Sequence, residues 1–359
     1  MRPDVLEFDP PLHPGTDPLE LTREDVSAIR LVLSGGSVID WASAAFDRVE
    51  DVDAFLLRHR IDLGQSEDRL RLRYVFNEAV SYLEEHRRLR FPAELRAPDD
   101  VRSVFLWASK RQGFRRRQIL SCVILKLMHV IHHMEAADLR FKTPISQEDL
   151  YDFAEGALLA DVNTMRDAGL PITSFYGSRK TRASVVTKLL AKRENVAAAI
   201  YDKLRFRIVV RHRADLVPTL RYMVRHLFPY NYVIPGESHN NLVAPEDLLE
   251  RAPGVAWEDD GTAPRLADTT KNEFSGASYR MINFIVDYPV ALPASIEGGF
   301  GFEYGRVVYE RVELQLLDEE TAQRNEEGEN SHELYKQRQF EVVNRRLKRG
   351  GARRGAGPA

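Results

Sequence analysis

Apolar positions recur at helical spacing through the first 150 residues, in stretches from Ser34 to Arg58, Ser66 to Arg87, Asp99 to Trp107 and Arg115 to Leu139. Thr22 followed three residues later by Asp25 reads as a capped helix start, and the GQSED and RAPDD segments read as turns. Lys142-Thr143-Pro144 ends the last long stretch, and Ser146 with Glu148 opens another helix, so a boundary is expected near residue 150. From Ile172 the pattern changes to alternating helix and strand. Tyr176, Gly177 and Ser178 read as a turn, followed by a helical run carrying Lys180, Ser184 and Lys188. Then come an apolar strand from Phe206 to Val210, an amphipathic helix from Ala214 to Leu227 that Pro229 ends, and a short extended segment from Tyr230 to Ile234. Residues 235–270 are rich in Pro, Gly and acids and are expected as an exposed insertion. Two strands, Tyr279 to Val286 and Arg306 to Leu316, precede a last helix from Ser331 to Leu347.

These elements predict an α+β protein. An extended arm (1–20) leads into an all-helical domain (21–150), a mixed-sheet domain flanked by helices (151–340) and a basic, disordered tail (341–359). Composition narrows the class without changing that outline. Hydrophobic residues make up 43% and charged residues 29%, as in a globular protein, and the net charge of -3 gives no global pull toward nucleic acid. Cys122 stands alone, which excludes an intrachain disulfide and a cysteine-based zinc cluster. The N-terminal segment has no apolar core of a secretory signal, and no apolar run is read as long enough for a bilayer, so a cytoplasmic protein is expected.

Candidate chemistry concentrates in the second half. Lys180, Ser184 and Lys188 sit at i, i+4 and i+8 and can share one side of a helix. Two cations flanking a hydroxyl near a helix N-terminus suit a polyphosphate, and Asp202 before the next strand suits its metal. The same spacing also describes a solvated helix followed by an ordinary strand, and spacing does not choose between them. In the strand Val312-Glu313-Leu314-Gln315-Leu316, alternation puts Glu313 and Gln315 on one face and the aliphatics on the other. Two further features read as structural first. Arg115, Arg116 and Arg117 point in different directions at a helix start, as at a solvated helix end. His129, His132 and His133 lack the glutamate that follows the first histidine in HExxH metal sites, so interior or interface histidines come before a metal site.

Taken together, these pieces resemble the RelA/SpoT family of nucleotidyltransferase-like (p)ppGpp synthetases over about residues 150–340. Lys180, Ser184 and Lys188 match the spacing of a basic R-x-K-x-x-x-S-x-x-x-K segment, with Arg179 beside the leading position held by Ser178. Asp202 and Arg207 keep the spacing of a D-L-A-G-x-R strand, Val312 to Leu316 matches V-E-I-Q-I, and His332, Tyr335 and Lys336 match H-x-x-Y-K. The resemblance implies Mg²⁺-dependent transfer of pyrophosphate from ATP to the 3′-hydroxyl of a guanine nucleotide. It implies that Arg179, Lys180, Ser184 and Lys188 hold phosphates. Asp202 and Glu313 would be the catalytic, Mg²⁺-binding carboxylates, with Glu313 also a general base on the acceptor. Arg207 and Gln315 would position substrate. Two departures stand out: Arg205 replaces the family glycine, and the N-G-Y-x-S-L-H segment is not recovered, leaving Tyr279 as an acceptor-stacking candidate. Transfer to an RNA 3′ end and a catalytically silent nucleotide-binding regulatory module therefore stand as alternatives.

Overall fold

The computed structural model describes residues 5–7, 21–34, 41, 46–109, 115–191, 203–228, 230–252, 278–293, 301–327 and 332–351. Asp202, the basic tail beyond residue 351 and most of the N-terminal arm lie outside the described residues. The elements run β1 (Val5–Glu7), α1 (Arg23–Ser34), α2 (Val49–Arg58), α3 (Ser66–Arg87), α4 (Ala93–Arg96), α5 (Arg102–Ser109), α6 (Arg115–Lys142) and α7 (Gln147–Asp167). They continue with β2 (Ile172–Arg179), α8 (Arg182–Ala191), β3 (Leu204–Val210), α9 (Leu216–Tyr222), β4 (His239–Asn240) and α10 (Pro245–Leu249). The chain ends with β5 (Ile282–Ala291), α11 (Gly301–Tyr304), β6 (Val307–Asp318), α12 (Glu319–Asn325) and α13 (His332–Gly351). The architecture is α+β, a helical N-terminal part preceding a mixed sheet.

Two hydrophobic cores form. Helices α2 to α6 bury Phe55, Phe76, Val104 and Ile124, with Trp41, Phe46, Phe55 and Phe105 meeting edge to face or tilted at 5.2 to 6.1 Å between ring centres. The second core lies under the sheet and takes in α7, α9 and also α1, through Val26, Ile29 and Val32. Helix α1 thus packs with the sheet, although it precedes the helical part in sequence. The Thr22–Asp25 capping pair forms as expected, and Asp25 also binds Arg221 at 2.9 Å and Arg225 at 2.5 Å, tying α1 to α9 and to the helical turn Met223–Leu227 that follows it. Helix α6 crosses both cores, through Met128 in one and Leu139 in the other. It is long and apolar enough to cross a membrane by length and composition, contrary to the sequence expectation, but its buried positions pack into these cores.

Strand order is β1-β2-β3-β6-β5-β4, with β3 and β6 parallel and the other neighbours antiparallel. Strand alternation divides the sheet into two faces. Phe206, Ile208, Leu314, Leu316, Phe284 and Val286 face the core with α7. The opposite face carries Tyr176 and Ser178 of β2, Arg205 and Arg207 of β3, Tyr309, Arg311, Glu313 and Gln315 of β6, and Asn283 and Asp287 of β5. Helix α6 covers one half of that face, where His133 binds Asp287 and stacks on Tyr309.

Several expectations need correction. Tyr176, Gly177 and Ser178 lie inside β2 and form no turn. A Cβ on Gly177 would meet Glu155 Oε1 at 2.9 Å and Phe206 Cε1 at 3.1 Å, so the glycine serves the close approach of α7 to the sheet. Lys180 precedes α8, and its N–H extends the β2–β3 ladder to the Lys203 carbonyl. The expected exposed insertion is packed over Ser238–Ala252, where His239, Asn240, Leu242 and Leu248 are buried. Asn240 holds this segment by its own turn, accepting from the Leu242 and Val243 amides.

Candidate functional site

The uncovered half of the polar face is built by the parallel pairing of β3 and β6. That register sets Arg205 beside Glu313 and Arg207 beside Gln315. Arg205 Nε donates to Glu313 Oε2 at 3.0 Å, and Gln315 Nε2 donates to Glu313 Oε1 at 2.9 Å. Arg207 Nε donates to Gln315 Oε1 at 3.1 Å, and its Nη2 donates to the Tyr279 hydroxyl at 3.1 Å. A further bond at 3.3 Å links Arg207 to Glu326 after α12. The side chain of Glu313 is only 5% exposed, so its charge depends on these partners. Asn325 accepts from the Arg280 N–H at 3.1 Å and donates to the Arg280 carbonyl at 2.6 Å, fixing the segment that carries Tyr279. The sum is one connected polar network in which two guanidiniums meet the carboxylates of Glu313 and Glu326 at a sheet face. Such a face can take up anionic groups through the guanidiniums.

Of the candidate residues, Arg207, Glu313, Gln315 and Tyr279 come together here. Arg179 does not. Strand parity turns it to the core side, where it binds Asp152 at 2.6 Å and Glu155 at 2.5 Å of α7. Three acidic neighbours, counting Glu148, surround it, and it ties α7 to the sheet. Ser184 bonds the Thr181 hydroxyl at 3.1 Å, and Thr181 caps α8 by accepting from the Ser184 N–H. Lys188 lies on α8, whose packing partner is α13, through Ala191 and Val343 and an Arg346 bond to the Leu190 carbonyl. Arg205, a departure from the motif that the sequence resembles, is the direct partner of Glu313. The signal was present in the parallel motif strands, but the pairing of two distant strands is not written in either.

Beyond Glu313 along β6, Arg311 binds Asp287 Oδ1 at 3.4 Å, and His133 Nε2 binds Asp287 Oδ2 at 2.9 Å. Behind them, His129 and Tyr232 pack at 4.7 Å and Tyr232 and Tyr309 stack at 4.7 Å. Burial, helped by the neighbouring His133, pushes the His129 imidazole down to about 4. Burial and nearby cationic groups hold His59 and His132 well below the usual histidine range. The histidines thus behave as interface residues between helices and sheet. Among the described residues no three His, Cys, Asp or Glu side chains group as metal ligands. Arg117 pairs with Glu94 and lies over the Trp107 ring, as at a solvated helix end.

No protein-family model matches the chain, and no curated protein matches it in sequence. Solved structures do. The chain is similar in structure to small alarmone synthetases. Small alarmone synthetase 2 from Bacillus subtilis matches at 16% identity and TM-score 0.30, covering 59% of this chain and 99% of its own. Small alarmone synthetase 1 from the same organism, bound to its product pppGpp, matches at 15% identity and TM-score 0.30, covering 58% and 96%. A GTP pyrophosphokinase family protein from Streptococcus pneumoniae matches at 13% identity and TM-score 0.28, covering 57% and 90%. Superpositions this loose carry no argument about activity.

Proposed function

We propose that the polar face around Glu313 binds a nucleotide polyphosphate, and that its reaction is pyrophosphoryl transfer from ATP to the 3′-hydroxyl of a guanine nucleotide. The observation that supports this most is the joining of Arg207, Glu313, Gln315 and Tyr279 into one hydrogen-bonded network on one sheet face. Arg205 and Arg207 supply the charge that phosphates need, and Tyr279 supplies a ring at the rim. Glu313 is the carboxylate that takes the hydroxyl proton, which requires Arg205 to exchange Glu313 for a phosphate first.

The metal implied by the resemblance would be held by Glu313, whose oxygens each accept one hydrogen bond, from Arg205 and from Gln315, and keep a further lone pair; Asp202 lies outside the described residues. No step is routed through Mg²⁺. The engagement of Glu313 also favours a second reading, a catalytically silent module that binds nucleotide without turning it over. The RNA alternative gains no support, because Arg117 is already paired and the basic tail beyond residue 351 is outside the described residues.

A turnover assay with γ-³²P-labelled ATP and GDP, GTP, GMP, adenine nucleotides and bulk tRNA as acceptors separates these readings. Labelled nucleotide product from the wild type, and none from Glu313→Gln, is the expected result. ATP binding with no product from any acceptor makes the silent module the function.

A further inference from the structure

We infer that the helical part carries a second, separate site, which takes a phosphate group on a small molecule. Arg90, Phe91, Pro92, Glu94, Arg116 and Arg117 line a cavity of about 250 Å³ between the start of α6 and the segment that joins α3 to α4. This cavity stands apart from the Glu313 network. Roughly 25 Å of α6 separates Arg116 from His133, where the helix meets the sheet.

The site is assembled from three elements. Helix α3 ends at Arg88 in the left-handed conformation, with φ 54°, and the Leu89 N–H returns to the Leu83 carbonyl at 3.1 Å. The chain then runs on through Arg90 to Pro92, and Phe91 packs against the helical core. Arg116 and Arg117 belong to the first turn of α6, the positive end of its dipole, and that turn holds no acidic residue. Arg117 is fixed: it pairs with Glu94 and lies 5.3 Å from the centre of the Trp107 ring. Its Nε is buried and has no hydrogen-bond partner.

Charge decides what enters. Glu94 is the one acid in the lining, and Arg117 already binds it. Arg90 and Arg116 are exposed, and among the described residues neither has an ion pair or a hydrogen bond. Two uncompensated guanidiniums facing one concavity repel each other, and the concave wall focuses their field. An anion relieves that repulsion, and a phosphate offers oxygens that match the planar donor forks of arginine. Phe91 supplies an apolar surface for an organic group attached to the phosphate. The volume suits one small molecule, and a net charge of -3 gives the chain no long-range attraction to a polyanion.

The test is calorimetric titration of the full chain with phenyl phosphate, inorganic phosphate and phenol. Both phosphates are expected to bind the wild type, and phenol is not. Tighter binding of phenyl phosphate than of inorganic phosphate identifies an ester as the source; equal binding identifies the free ion. The double variant Arg90→Gln, Arg116→Gln should lose about tenfold or more in phosphate affinity while its melting temperature stays unchanged. Both substitutions leave the Glu313 network intact, so the loss assigns the binding to this cavity, whatever the sheet face binds. Phosphate affinity unchanged in the double variant, or phenol binding as well as phenyl phosphate, overturns the inference. So does binding of a fluorescein-labelled oligouridine that the double variant loses, with no binding of either small phosphate, because the surface then serves RNA. Should the double variant fail to fold, the two single variants are measured in its place under the same criteria.

Discussion

Acidification should loosen the junction between the helices and the sheet, and His129 gives a magnitude. Its imidazole stands against Tyr232 and His133, and its Nδ1 lies 3.3 Å from the Asn231 amide. Burial, with the neighbouring His133 adding and Asp287 partly offsetting, brings its folded-state value from 6.5 down to about 4. A depressed histidine means that the unfolded chain takes up the proton first. The folded state is thus unaffected above about pH 6.5, and stability is lost as pH falls toward about 4. By about pH 5 the loss from this one group is about 2 kcal/mol, rising to about 3 kcal/mol at full extent. His59 and His132 are displaced in the same direction and add to it. Asp161, Glu135 and Glu310 are raised by burial and oppose it, since the folded state then binds their protons first. The total profile is therefore a sum of opposing groups, and a difference measurement is required. Urea unfolding of the wild type and of His129→Asn, which keeps an acceptor for Asn231, should be compared at neutral pH and at about pH 5. The variant should lose about 2 kcal/mol less than the wild type over that interval. Equal losses in the two proteins would refute the assignment of the proton to His129.

Two other substitutions test different links of the argument. Gly177→Ala places a Cβ 2.9 Å from Glu155 Oε1 and 3.1 Å from Phe206, and should destabilise by about 1–3 kcal/mol in urea unfolding; an unchanged midpoint would mean that α7 does not press on β2. Tyr279→Phe removes the hydroxyl that Arg207 donates to at 3.1 Å while keeping the ring, and should weaken ATP binding by about fivefold, roughly 1 kcal/mol, with an unchanged melting temperature. A large drop in melting temperature instead would make Tyr279 a structural tie.

What was legible in the sequence followed periodicity. Helix α3 has its expected bounds, Ser66 to Arg87, because its Leu72, Val75, Phe76, Ala79 and Leu83 fall on one buried side between clear turn signals. Alternation alone puts Glu313 and Gln315 on one strand face, and the ladder agrees. Where a residue served packing, local chemistry misled. Gly177 looks like a turn glycine but makes room for Glu155, so the local pattern reads as a turn and a helix start where β2 runs. That shift put Arg179 beside the phosphate stripe, whereas strand parity sends it to the acids of α7. The polar composition of Ser238–Ala252 suggested an exposed loop, but Asn240 satisfies its own backbone and lets the segment pack. The Arg205–Glu313 pair joins residues 108 positions apart and could not be read from either strand separately.

A crystal structure of the full chain with ATP tests the central claim most directly. The account predicts phosphate oxygens within hydrogen-bond distance of Arg205 or Arg207, with Glu313 and Gln315 beneath them on the same sheet face. Nucleotide bound elsewhere, with the Arg205–Glu313 and Arg207–Gln315 bonds untouched, would contradict it.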